Sequence, residues 1–172
     1  MRLLFEVDTK DYDRNGIAFI RHSARCIHIK NGLAAMMHSI KYDYYTFPGG
    51  GIEKDESKES AMIRETREEA GLVAIPESVQ EYGYVHRIQK SDHVDEDYFV
   101  KDNYYYLCEV EEGVRSQELD DYEADEEFTL EYVEPDKAIF VNRNVDHGPK
   151  DQIMLEHEAR VLELLKEEGY FD

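Results

Sequence analysis

Residues 50–72 restrict the possible folds of this chain more than any other stretch. They read GGIEKDESKESAMIRETREEAGL, a glycine turn followed by a charged segment that stops at Gly71. Ser57 and Ser60 offer an N-cap, and Gly71 stands where a left-handed C-cap belongs, so a helix is predicted from about Ser57 to Ala70. Pro48-Gly49-Gly50-Gly51 precede it, and successive glycines permit unusual φ values and close approach of backbone to a ligand or ion.

Extended patterns flank the helix. Residues 2–7, 16–20, 24–29, 33–40, 82–88, 104–110 and 128–133 read as strands, and 42–47 as an aromatic-rich extended run. Lys30-Asn31-Gly32 is a hairpin turn, because Asn-Gly readily takes positive φ. Leu72 and Val73 should enter a strand, 89–102 looks like a polar hairpin insertion, and 111–124 like an acidic loop. A short helix or turn follows Pro135, and a final helix runs from Pro149 to Glu168 with Gly169 as its C-cap. Its predicted apolar face carries Ile153, Met154, His157, Val161, Leu164 and Leu165, with His157 a packing or surface residue. These elements imply an α/β (α+β) fold: one domain over 1–172, with a mixed sheet covered on both faces.

Glu65, Glu68 and Glu69 stand at i, i+3 and i+4 and therefore share one helix face. Crowded like charges destabilise an isolated helix, and a bare E-x-x-E-E can be mere solvated surface. Here it follows a glycine turn and a further acid, Glu56. Hard oxygen donors at that density suit Mg2+ or Mn2+ together with waters and phosphates.

The net charge is −20, which disfavours duplex DNA or long RNA but not a small phosphorylated ligand bridged by divalent cations. No apolar run approaches the roughly 20 residues of a membrane-spanning helix, and the first residues do not resemble a signal peptide. A cytoplasmic protein is expected. Cys26 and Cys108 read as buried reduced thiols, the alternatives being a nucleophile or a disulfide. Arg21, His22 and Arg25 could contact phosphate or be ordinary surface charge, and tyrosines 42, 44, 45 and 104–106 could stack a base, although alternation turns about half of them inward.

Gly50, Glu56, Arg64-Glu65, Glu68-Glu69, Gly71 and Leu72 resemble the signature of the Nudix hydrolases, the MutT-like family. Thr66 departs from it, standing where an aliphatic residue is usual, at a position that is not a ligand. The resemblance covers 23 residues, with Phe47-Pro48-Gly49-Gly50 before the box also similar. It implies an α/β/α sandwich with a catalytic loop-helix-loop, and metal-dependent hydrolysis of a nucleoside diphosphate linked to another group X. It further implies Glu68 and Glu69 as principal metal ligands, and Glu65 as a further ligand or the residue that helps to activate water. Glu56 would be an accessory carboxylate, Arg64 would orient the glutamates, and a carbonyl at Gly49 or Gly50 would join the metal shell. A later acid, Glu126 or Glu127, would join the site or belong to a solvated loop. The substrate lies open among nucleoside triphosphates, ADP-ribose, nucleotide sugars and related compounds. A non-catalytic nucleotide sensor is the other reading, and a homodimer through Leu3, Leu4 and Phe5 or the last helix is possible.

Overall fold

A computed structural model describes residues 1–93 and 95–172. The elements are β1 (Leu3–Asp8), β2 (Ala18–Ile20), β3 (Ser23–Ile27), β4 (Ile29–Lys30), β5 (Leu33–Ser39), β6 (Tyr44–Thr46), β7 (Gly49–Gly51), α1 (Lys58–Ala70), β8 (Gln80–Lys90), β9 (Tyr98–Leu107), α2 (Asp121–Asp125), β10 (Phe128–Val133), α3 (Pro135–Asn144) and α4 (Gln152–Glu167). Among the described residues they build a mixed sheet ordered β1-β8-β9-β3-β7, with β2 also on β9, and a smaller sheet ordered β10-β5-β4 with β6 on β5. In the mixed sheet β1 runs parallel to β8 and β3 parallel to β9, whereas β8–β9 and β3–β7 are antiparallel.

Side-chain alternation along the central strands creates two cores. Ala24 and Cys26 of β3 join Tyr104 and Tyr106 of β9 against Ala61 and Met62 of α1. Ile27 and Tyr105, at the alternate positions, face the opposite side with Phe47 and the α4 residues Val161, Leu162 and Leu165. The mixed sheet is thus covered by α1 on one face and by α3 and α4 on the other. Truncating one of the α4 leucines to Ala should cost about 2–5 kcal/mol. No helix among the described residues is long and apolar enough to cross a membrane.

Several local expectations change. The glycines of 49–51 do not merely turn: they pair with Ser23, Ala24 and Arg25 as a short strand. The polar segment 89–102 is mostly sheet, since β8 continues to Lys90 and β9 begins at Tyr98; Val94, within it, lies outside the described residues. Cross-strand pairing through Ile88↔Val100 and Gln89↔Phe99 overrides the poor local pattern there. Leu72 and Val73 form no strand, and Ala74 makes only an isolated bridge to Val110. The last helix is capped by Asp151 rather than opened by Pro149: Asp151 Oδ1 accepts from the Ile153 and Met154 amides at 3.0 and 3.4 Å. Its buried face includes Leu155, Glu158 and Leu162, with His157 packed edge-on against Phe5. Leu4 and Phe5 belong to the core, leaving Leu3 as the exposed one of the three.

Candidate active site

Local chemistry sets the phase of α1. Ser57 Oγ accepts from the Ser60 amide at 3.0 Å, and Gly71, at φ 68°, returns its amide to Arg67 O. A Cβ at Gly71 would meet the Arg115 carbonyl at 2.1 Å, so the cap admits glycine alone. Ala61, Met62, Thr66 and Ala70 are buried by the docked helix. Thr66 fills the place of an aliphatic residue, its hydroxyl 3.7 Å from Met62 Sδ. Glu65, Glu68 and Glu69 are left facing β7 and the cleft beside it.

The strand β7 accepts this helix at very short range. Gly49 donates its amide to Glu69 Oε2 at 2.8 Å. A Cβ on Gly50 would lie 2.4 Å from the Glu65 carboxylate, and one on Gly49 would lie 2.2 Å from Ala24 O. The Gly51 carbonyl accepts from Arg64 Nη2 at 3.1 Å. Arg64 also reaches both oxygens of Glu56 at 2.9 Å, Glu65 at 2.8 Å and Glu68 at 3.1 Å. One planar guanidinium therefore ties three carboxylates and the glycine strand together, a task suited to Arg and not to Lys. Its proximity holds Glu56 below the usual carboxylate range.

The cleft has a volume of about 340 Å³, with Gly50, Arg64, Glu65, Glu68 and Glu69 on one wall and Glu123 of α2 on the other. Burial pushes Glu69 up to about 8, although Arg25 and the Gly49 amide pull it down, and burial also raises Glu65. Desolvation and mutual repulsion are the signature of a carboxylate group short of positive charge. Among the described residues no three acidic, His or Cys side chains are drawn together at cation-binding separation, because Glu65 and Glu68 rest on Arg64 and Glu69 on Gly49. The chemistry of the set nonetheless fits a hard divalent ion: Glu65, Glu68, Glu69 and Glu123 all present carboxylates to one cleft.

Neither of the two later acids expected lines the cleft. Glu127 is exposed, at φ 55°, and lines no part of the cleft. Glu126 is buried elsewhere: it accepts from Tyr44 Oη at 2.6 Å and Ser39 Oγ at 3.2 Å and pairs with Lys150. Glu123 faces the glutamates instead, held by the capping box that it forms with Asp120. Its signal in the sequence is the D-x-x-E spacing of residues 120–123, a helix start inside an acidic run.

Arg21 is exposed at the mouth of the cleft and makes no ion pair among the described residues. Arg25 is buried and donates to the carbonyls of Phe47 at 2.7 Å and Gly49 at 3.2 Å, so that carbonyl of Gly49 is already engaged by a cation. His22 Nδ1 accepts from the Asp102 amide at 3.0 Å. Tyr44, Tyr45 and Tyr104–Tyr106 are all buried, so none of the five offers an open stacking face.

A NUDIX domain model matches residues 19–155. Over 41 residues the chain is 54% identical to an RNA pyrophosphohydrolase of Hahella chejuensis (strain KCTC 2396), a match spanning 24% of this chain and 24% of that relative. A Nudix hydrolase from Nitrosomonas europaea superposes with a TM-score of 0.53 at 11% identity, over 83% of this chain and 90% of the other. The Escherichia coli ORF135 protein gives 0.51 at 20%, over 89% and 95%. MutT, from a study of the Aliivibrio salmonicida and Vibrio cholerae proteins, gives 0.50 at 17%, over 83% and 99%. At these identities the structural likeness establishes the fold.

Proposed function

The chain belongs to the NUDIX family, and from that premise we propose that it hydrolyses the phosphoanhydride bond of a nucleoside diphosphate linked to another group X, using Mg2+ or Mn2+. The observation that carries the reading is the gathering of Glu65, Glu68, Glu69 and Glu123 on one cleft, with Glu56 and Arg64 braced behind them. Four acids lining a space meant for an anionic diphosphate make chemical sense only with a cation between them.

Glu65, Glu68 and Glu69 would hold that cation, with Glu123 opposite. When bound, a divalent ion neutralises the diphosphate, lowers the pKa of an attacking water and aligns attack with departure. Arg64 keeps Glu65 and Glu68 in place through its bonds at 2.8 and 3.1 Å. Glu65 takes the proton of the attacking water. Arg21, free at the mouth, meets the phosphate oxygens that enter. The narrow floor made by Gly50 lets the diphosphate approach backbone that a side chain would screen.

The substrate is a small molecule. A charge of −20 opposes a long polyanion, so turnover of RNA, the substrate in the name of the Hahella relative, an RNA pyrophosphohydrolase, should be weak beside that of a free nucleotide compound. A cytoplasmic setting accords with two buried free thiols. The test is a screen of nucleoside triphosphates, dinucleotides and nucleotide sugars with Mg2+ and Mn2+. Metal-dependent phosphate release is expected, and Glu68→Gln should lower kcat by about 100- to 1,000-fold, or roughly 3–4 kcal/mol. Turnover that survives Glu68→Gln unaltered would overturn the assignment.

A further inference from the structure

A second cavity, of about 240 Å³, lies between the C-terminal end of β8, the N-terminal end of β9 and the start of α4. A groove of about 340 Å³ joins it to the acidic cleft, sharing Arg25, Lys101 and Phe99 with the cavity and Arg21, Gly50 and Glu69 with the cleft. The two ends are chemically opposite. One carries the glutamates; the other carries cations in a chain whose net charge is −20.

Arg25, Arg87 and Lys101 line the far end together with Asp92, Asp151 and Glu158, but the Lys101 ammonium and Arg25 Nε are left without a bonded partner among the described residues. Arg87 and Lys101 stand directly opposite one another across β8 and β9. Like charges at such a pair are destabilising, and a fold tolerates them where something negative comes between. Asp151 answers Arg87 at 2.5 Å, and its other oxygen is spent on capping α4. Glu158 accepts from the Phe47 amide at 2.7 Å and from Tyr105 Oη at 3.0 Å, and its charge is felt by both Arg25 and Lys101 without a direct bond to either. Asp92 is exposed at the rim. The Lys101 side chain makes neither hydrogen bond nor ion pair among the described residues, although it is partly buried. Arg25 Nε, on another residue lining the cavity, is a buried donor without a partner among the described residues. Native proteins satisfy nearly all such buried donors, and the group that suits a guanidinium N–H beside an ammonium is an anionic acceptor. Lys101 is also driven down to about 7, by burial first and then by Arg25, Arg87 and Arg21, against a smaller opposing pull from Glu158.

We propose that this cavity is the subsite for a phosphoryl group carried on the X moiety of the substrate, held by Lys101 and Arg25 at the end of the groove remote from the glutamates. The inference rests on the hydrolase reading and narrows its substrate class to diphosphates whose X group bears a further phosphate. Lys101 then selects the substrate and takes no part in the bond cleavage.

Two measurements test this. Inorganic phosphate is titrated calorimetrically into the full-length protein with chelator present, so that the acidic cleft can only repel it. Wild-type protein should bind phosphate, Lys101→Met should bind it at least about tenfold more weakly, and Lys101→Arg should restore binding, as befits a charge-assisted contact. Next, kcat/KM is compared for one nucleoside diphosphate sugar with and without a phosphate on the sugar. The phosphorylated compound should be preferred by about tenfold or more, and Lys101→Met should bring that ratio toward one. No phosphate binding, or a ratio of one in the wild type, overturns the subsite even if both sugars are hydrolysed. Phosphate binding with a ratio of one marks a free-anion site and also overturns it. Absence of all turnover would instead sink the hydrolase reading, and the calorimetric arm would still report on the cavity.

Discussion

Arg64→Lys keeps the charge of the site and removes its geometry. The guanidinium makes five bonds of 2.8–3.1 Å, to Glu56, Glu65, Glu68 and the Gly51 carbonyl. An ammonium can serve one or two of these at a time. A charge-assisted hydrogen bond contributes about 1.5–3 kcal/mol, and for a side chain 27% exposed to solvent about 1 kcal/mol each is a fair allowance. Losing two or three leaves Glu65 and Glu68 free to wander by about 1 Å, and displacement on that scale costs roughly 100-fold in rate. Steady-state kinetics at saturating metal should show kcat lower by about that factor, equal to about 2.7 kcal/mol, with KM within about threefold. The melting temperature should fall by only a few degrees. Glu56→Gln cuts the same brace from the other end, so the double variant should cost little more than Arg64→Lys alone. Wild-type kcat in Arg64→Lys, or full additivity of the two losses, would show that the brace does not position the acids.

The remaining predictions separate shape, charge and titration. Gly49→Ala, at φ 141° with its Cβ 2.2 Å from a backbone carbonyl, should destabilise by about 3 kcal/mol or more in denaturant unfolding. Gly50→Ala meets only the movable Glu65 carboxylate, so it should fold normally and lose roughly tenfold in kcat. Glu126→Gln leaves Lys150 poorly paired and should cost about 2 kcal/mol of stability while sparing kcat, whereas Glu123→Gln should do the reverse; the opposite pattern would move the second acid back to Glu126. His157 is held near 3 in the fold by burial and by Arg87, against about 6.5 unfolded, so the stability it contributes is whole above pH 6.5 and drains as pH falls toward 3. Between pH 6.5 and 5 that is about 2 kcal/mol, and His157→Met should lose correspondingly less than wild type over the same range. Parallel stability curves for the two proteins would remove His157 as the cause.

The parts that could be read from the chain are those whose cause is local. Ser57, Gly71 and the i, i+3, i+4 acids describe α1 without help from the rest of the fold. The hairpin at Asn31-Gly32, with φ of 54° and 75°, is legible for the same reason. Gly49–Gly51 has no side chains to alternate and becomes a strand only because β3 offers it partners. The polar ends of β8 and β9 likewise depend on each other. Glu123 stood among many acids, and only the direction of a five-residue helix separates it from Glu126 and Glu127. The cationic cavity was hidden for a different reason: Arg25, Arg87 and Lys101 are far apart along the chain, and a pairing register brings them together.

Glu158 is fixed on α4, yet it accepts from the Phe47 amide next to the glycine strand and, like Glu69, lends its charge to Arg25. The last helix is therefore a fastener for the glycine wall of the cleft as well as a cover for the sheet. Anyone trimming this protein, permuting its termini or fusing a partner to its end should treat residues 152–167 as part of the foundation of the candidate site. A shortened chain that still folded would leave Arg25 with one carboxylate instead of two, and the glycine strand with one anchor fewer.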